Sequence, residues 1–258
     1  IINKKKERIK IYKKEHPENK LFEDIKNINN FIDFKDKIKR RNSERKISII
    51  AEIKKASPSA GEIIKNFNPL NIAKIYIENG ASFLSVLTEE DFFLGKLDHI
   101  KNIKSNYKIP ILCKDFFIDT YQVALAKSFG ADCILIILSA VDKVLAKDLY
   151  QAANDLNIST LIEVHSEKEL DEALHAGAEI IGINHRDLRT FKTDTSLTQH
   201  LRPLIPPGKV VVSESGITSR KEVDQLKRTG VNAVLVGEAL ITATDIPAKV
   251  RELTGTTS

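Results

Sequence analysis

Eight short runs rich in Val, Ile and Leu recur at regular intervals from residue 47 onward. They occupy 47–53, 82–87, 109–113, 133–138, 160–164, 180–183, 210–212 and 233–236. Apolar runs of this length suit strands buried on both faces, as in a parallel sheet. Parallel neighbours need crossover connections, usually helical, and the intervening stretches are amphipathic. Residues 69–79, 120–129, 166–176 and 219–229 read as helices. Each is followed by a glycine stop signal, at Gly80, Gly130, Gly177 and Gly230. Ser166 and Glu169 have the spacing of a capping box. Eight βα units over residues 47–258 leave about 26 residues each, which suits a closed eightfold barrel. The expected fold is therefore α/β, a (β/α)8 TIM barrel, as one domain overall. Residues 1–46 are expected to form an N-terminal helical extension packed on the barrel, and 47–258 the barrel itself. An open doubly wound sheet usually has fewer strands and a Gly-rich first turn, and no GxGxxG follows the first run.

Charge is unevenly placed. Residues 1–46 hold 16 Lys and Arg against 8 Asp and Glu, while the remainder holds 24 against 27. Acids are interspersed through the leading segment, so it reads as a solvated helix pair rather than a nucleic-acid arm. The longest run of Val, Ile and Leu is five residues, 134–138, far short of the roughly 20 that a membrane span needs. Two cysteines without a CxxC give neither a disulfide framework nor a zinc knuckle. The lysine-rich start has no apolar core, so no secretory signal is expected there. Position 1 is Ile and the chain holds no Met, so it is not expected to be a raw translation product. A soluble, cytoplasmic, reducing-compartment protein is expected, and a monomer, with no membrane and no nucleic-acid partner.

Barrel chemistry sits at the C-terminal strand ends, and polar residues fall there against propensity. Run one carries Glu52 and Lys54, two apart and so on one strand face. Run three ends in Lys114-Asp115, run five carries Glu163, and run six ends in Asn184-His185-Arg186. Run seven ends in Ser213-Glu214-Ser215-Gly216, and run eight in Gly237-Glu238. A charge inside an apolar strand is costly unless paired. One such residue reads as a structural pair, for example Glu52 with Lys54; six strand ends together read as a site for acid and base work. Glycines after runs seven and eight suit phosphate, which backbone N–H groups approach closely only at glycine. Ser57, after run one, adds a hydroxyl. Cys113 and Cys133 read as core, and His165, His175 and His185 lack metal-ligand spacing, so no metal is expected. Phe92-Phe93 and Phe116-Phe117 would ordinarily be core, with one of each pair available to wall an aromatic ligand.

These motifs resemble the indole-3-glycerol phosphate synthase family. The specific one is Ala51-Glu52-Ile53-Lys54-Lys55-Ala56-Ser57-Pro58-Ser59. Ser85-Val86-Leu87-Thr88-Glu89, Lys114-Asp115-Phe116, Leu161-Ile162-Glu163-Val164-His165 and Asn184-His185-Arg186-Asp187-Leu188 also match. Ser213-Glu214-Ser215-Gly216-Ile217 and Leu235-Val236-Gly237-Glu238-Ala239-Leu240 recur in other phosphate-binding barrels. The match spans about residues 47–245. The resemblance implies ring closure, decarboxylation and dehydration of 1-(o-carboxyphenylamino)-1-deoxyribulose 5-phosphate, a lyase step of tryptophan biosynthesis that needs no cofactor.

The resemblance further implies that Lys114 is the general acid of ring closure, with Lys54 near the substrate carboxylate, sharing acid duty and oriented by Glu52. Glu163 is the base of dehydration, and Asn184 hydrogen-bonds substrate hydroxyls and holds Glu163. Arg186 faces the substrate carboxylate. Glu214, Ser215 and Ser85 meet the substrate; Ser57, Gly216, Gly237 and the backbone of Glu238 take the phosphate. Pro58, Phe93, Phe116 and Leu135 wall the aromatic ring. Ala60 departs from the lysine that many members carry, and Glu238 from the serine of some. Sister barrels such as phosphoribosylanthranilate isomerase share the phosphate loops but not Glu52-x-Lys54-x-x-Ser57-Pro58. A basic nucleic-acid-binding protein acting through residues 1–46 is the reading of another class.

Overall fold

A computed structural model describes residues 1–187, 190 and 192–256; Leu188 of the quoted motifs lies outside them. Eight parallel strands close into a barrel. They are β1 (Ser48–Ile53), β2 (Phe83–Leu87), β3 (Ile111–Lys114), β4 (Cys133–Ile137), β5 (Ser159–Val164), β6 (Ile180–Asn184), β7 (Val210–Glu214) and β8 (Ala233–Val236). β1 pairs with both β2 and β8, which closes the ring. Three helices precede β1: α1 (Ile2–Glu15), α2 (Glu18–Lys26) and α3 (Phe34–Ser43). The crossovers carry α4 (Pro69–Glu78), α5 (Leu97–Asn106), α6 (Tyr121–Ser128), α7 (Lys143–Asp155), α8 (Glu167–His175), the short α9 (Leu197–Leu201) and α10 (Arg220–Arg228). Two helices follow β8: α11 (Glu238–Ile241) and α12 (Ile246–Thr254). A small hairpin of Ala56–Ser57 and Gly61–Glu62 rises after β1.

The helix boundaries follow from their caps. Asn68, Asp142, Ser166, Ser219 and Asp245 each accept a backbone N–H of the first turn. The expected Ser166 cap is present, and Glu169 takes the backbone N–H of His165. A reciprocal capping box forms at Ser219 and Glu222.

Two apolar layers share the strands. Outward residues such as Ile49, Val86 and Ile181 pack under the helices. Inward residues fill the barrel, and Ile50, Leu112, Leu161 and Val212 come from the four odd-numbered strands. Phe34 and Ile38 of α3 belong to this inner cluster, and Phe34 lies 4.8 Å from Phe83, so α3 plugs the barrel floor. Among the described residues no helix is long and apolar enough to cross a membrane.

The leading segment also reaches the other end. On α1, Arg8 pairs with Glu90 and Asp91, and the Tyr12 hydroxyl donates to Glu90. Lys5 Nζ lies 2.6 Å from Asp115 Oδ1, with both side chains buried. Asp115 also accepts from Thr88 Oγ1 and from the Phe116 N–H. A buried carboxylate that loses its paired cation costs several kcal/mol. Lys5→Met is therefore expected to destabilise the fold by about 3–5 kcal/mol, read from the denaturant midpoint, with Asp115→Asn recovering part of the loss.

Candidate active site

Two residues beyond each inward residue of the odd strands, the apolar layer gives way to charge. Glu52, Lys114, Glu163 and Glu214 stand there, one from each of β1, β3, β5 and β7. The 3.6-residue logic of helices has no part in this. Strand alternation with a closed ring forces these four side chains to one point. Lys114 Nζ lies 2.7 Å from Glu214 Oε2, 3.9 Å from Glu52 Oε2 and 4.0 Å from Glu163 Oε2. Lys54 Nζ donates to Glu52 Oε1 at 2.8 Å. Glu52 thus links both lysines. Glu52, Lys54, Lys114 and Glu163 form the base of a cavity of about 490 Å³, within the size range of small-molecule sites.

The charges are mutually adjusted. Burial pulls the Lys114 ammonium down, but Glu214, Glu52 and Glu163 more than offset it, so its pKa is raised. Burial pushes the Glu52 carboxyl up, and Lys54 with Lys114 outweighs this and holds it low. Glu214 is pushed up to about 7, chiefly by burial and then by neighbouring Glu163, against the pull of Lys114. One carboxyl of the cluster therefore titrates near neutral pH.

The rest of the cavity separates into an apolar wall and a polar rim. Pro58, Phe93, Phe116 and Leu135 all line it, and the two phenylalanine rings lie 6.5 Å apart. Glu89 fixes the loop that carries Phe93, because its carboxylate accepts the N–H groups of Asp91, Phe92 and Phe93. Ser57, Ser215, Gly216, Gly237 and Glu238 supply polar groups to the lining. Ser215 and Gly216 both have left-handed φ, +70° and +72°. The non-glycine Ser215 is held there: its hydroxyl donates to Asn184 Oδ1, and the His185 ring meets its carbonyl at 2.9 Å. A backbone conformation of this kind is costly and is retained mostly at functional sites.

A family model described as indole-3-glycerol phosphate synthase matches residues 1–253. The chain belongs to the indole-3-glycerol phosphate synthase family. A synthase of that name from Alkaliphilus metalliredigens (strain QYMF) is 45% identical over 253 residues, 98% of this chain and 96% of that relative. One from Dehalococcoides mccartyi (strain CBDB1) is 50% identical over 212 residues, 81% of this chain and 82% of that relative. Among solved structures, a 3-hexulose-6-phosphate synthase superposes with a TM-score of 0.66 at 15% identity, covering 82% of this chain and all of that one; that likeness shows the fold alone.

Several residues of this synthase-family site lie differently from expectation. Ser85 is fully buried, its hydroxyl has no hydrogen-bond partner among the described residues, and it is not part of the cavity lining. Glu214 also lies below the lining, occupied by Lys114 rather than presented to a ligand. Asn184 Oδ1 accepts from Ser215 Oγ and the Arg186 N–H, and holds this turn rather than Glu163. Arg186 is paired with Glu238 across the rim at 2.7 Å. Gly237 has a steric reason: an added Cβ would meet the Glu52 carboxylate. Gly182, passed over in the sequence, likewise makes room for Glu214 and Leu161. Phe92 is exposed rather than core, whereas Phe117 is core. Glu89, Asp115, Ile217 and Thr242 line the cavity and were not anticipated as site residues. Among the described residues no cluster of three or more His, Cys, Asp or Glu side chains is placed to hold a metal ion.

Proposed function

We propose that this cavity closes the indole ring of 1-(o-carboxyphenylamino)-1-deoxyribulose 5-phosphate with the Glu52, Lys54, Lys114 and Glu163 side chains as its acid–base set. The observation that carries this is one ammonium, Lys114, held among three carboxylates at the base of a cavity walled by two phenylalanines. Attack of the aromatic carbon on the ribulose carbonyl puts negative charge on that oxygen. Lys114 stays charged at neutral pH and hands its proton to the developing alkoxide, a stronger base than any amine. Loss of CO₂ then restores the aromatic ring. Dehydration needs a base for the departing proton and an acid for the departing hydroxide. Glu163 serves as the base. Lys54, hydrogen-bonded to Glu52, serves as the acid.

The remaining residues bind. The aromatic ring lies against Pro58, Phe93, Phe116 and Leu135. Arg186 exchanges the exposed Glu238 for the substrate carboxylate, where its planar fork donates to both oxygens. The phosphate takes Ser57 and the backbone of Gly216, Gly237 and Glu238. A barrel places a phosphate site beyond strands seven and eight, and the turn after β7 and the start of α11 are those segments. The test is product balance. Incubation with this substrate should release CO₂ and indole-3-glycerol phosphate in equal amounts. Turnover of phosphoribosylanthranilate instead, with this substrate left untouched, contradicts the proposal.

A further inference from the structure

His165 lies just behind the cavity wall, between two carboxylates. Its Nε2 is 3.3 Å from Glu163 Oε1, and its Nδ1 is 3.3 Å from Glu169 Oε2. The start of α8 fixes the outer carboxylate. Glu169 Oε2 accepts the His165 backbone N–H at 2.7 Å, and the Glu169 N–H donates to Ser166 Oγ. Side-chain exposure falls inward from 21% at Glu169 to 12% at His165 and 2% at Glu163. His165 does not line the cavity, whereas Glu163 does.

An ionised carboxylate only accepts hydrogen bonds, and a neutral imidazole has one N–H. A ring with a carboxylate at each nitrogen satisfies both only as the imidazolium. Among the described residues the other charged group acting on the ring is Glu214, also anionic when ionised, and Lys114 stands on the far side of Glu163. Burial pulls the ring's pKa down, and Glu169, Glu163 and Glu214 more than offset it, so the value is raised above that of an ordinary histidine. Glu163 Oε1 and His165 Nε2 are both buried without a well-angled hydrogen bond. Contacts of this kind often tighten only when substrate binds.

We propose that His165 is a positioning residue for Glu163: as an imidazolium, it holds Oε1 from behind and leaves Oε2 turned toward Lys114 and the substrate. The inference rests on Glu163 being the base of dehydration. It gives the base a second cation, on a side the substrate does not occupy. The reaction's own proton balance is unchanged, because the imidazolium keeps its proton throughout.

His165→Gln separates charge from shape, since the amide still donates one uncharged hydrogen bond. kcat and KM are measured for both proteins across pH, with Tm recorded for each. The imidazolium is fully present below the ordinary histidine value and is lost as pH rises through the raised one. The ratio of wild-type to variant kcat is therefore expected to be about tenfold at acid pH, the order of one charge-assisted hydrogen bond, and to fall toward one at alkaline pH. KM should change by less than about twofold. Glu169→Gln removes an anion that favours the imidazolium, so the break in its own kcat profile should move to lower pH. It carries the test if His165→Gln fails to fold. A ratio that does not vary with pH, or a break that Glu169→Gln leaves in place, overturns the proposal. An undiminished kcat in Glu163→Gln instead retires the base assignment on which it rests.

Discussion

Lys114→Ala should lower kcat by about 10²–10⁴, the span of a general acid, which is about 3–5 kcal/mol of transition-state stabilisation. The loss should appear in ring closure itself, so CO₂ release and indole formation fall together. The structure explains why no neighbour substitutes. Lys54 is tied to Glu52 Oε1 on the side away from Lys114 and is the acid of the later dehydration, and the charged groups paired with Lys114 are carboxylates. Removal also leaves Glu214 buried without its cation. With its carboxyl already pushed up to about 7, Glu214 then takes up a proton more readily, which limits the damage to the fold. Stability of Lys114→Ala is accordingly expected to be closest to wild type at acid pH and to worsen as pH rises. A variant that keeps wild-type kcat contradicts the assignment.

Glu163→Gln should lower kcat by about 10²–10⁴ as well, but at a later step. Gln keeps the shape and removes the base. Ring closure and decarboxylation depend on Lys114, so in a single turnover CO₂ should appear ahead of the indole signal. In wild type the two are expected to appear together. The two variants thus differ in order of events and not only in rate. Equal slowing of CO₂ and indole in Glu163→Gln would place Glu163 in the first step and contradict the division of labour.

The barrel was legible because a parallel strand is buried on both faces and announces itself as a compact apolar run. The site was legible where a charge interrupts such a run, as at Glu52 and Glu163. Other features depend on ring closure. β3 and β7 face each other only once eight strands join, so nothing local at Glu214 shows that it holds Lys114, 100 positions away. Ser85 carries a hydroxyl in a family motif, yet although it pairs in register with the cavity-lining Glu52 it is itself fully buried and outside the lining. Gly182 and Gly237 read as ordinary turn or strand glycines, whereas each clears space for a carboxylate from another strand. The reach of the leading segment from mouth to floor was also hidden, since Lys5 looks like one more residue of a solvated basic helix. His165 was set aside for lacking metal-ligand spacing. Its partners lie two positions before and four after, and only the turn into α8 brings both to the ring. Functional roles came from the family resemblance, not from spacing.

The most direct measurement is indole fluorescence during incubation with 1-(o-carboxyphenylamino)-1-deoxyribulose 5-phosphate. The chain contains no tryptophan, so product emission stands on a dark protein background. The account predicts a signal that grows in wild type and is nearly flat in Lys114→Ala at equal folded concentration. A flat trace from folded wild-type protein, or equal growth in both, would contradict it.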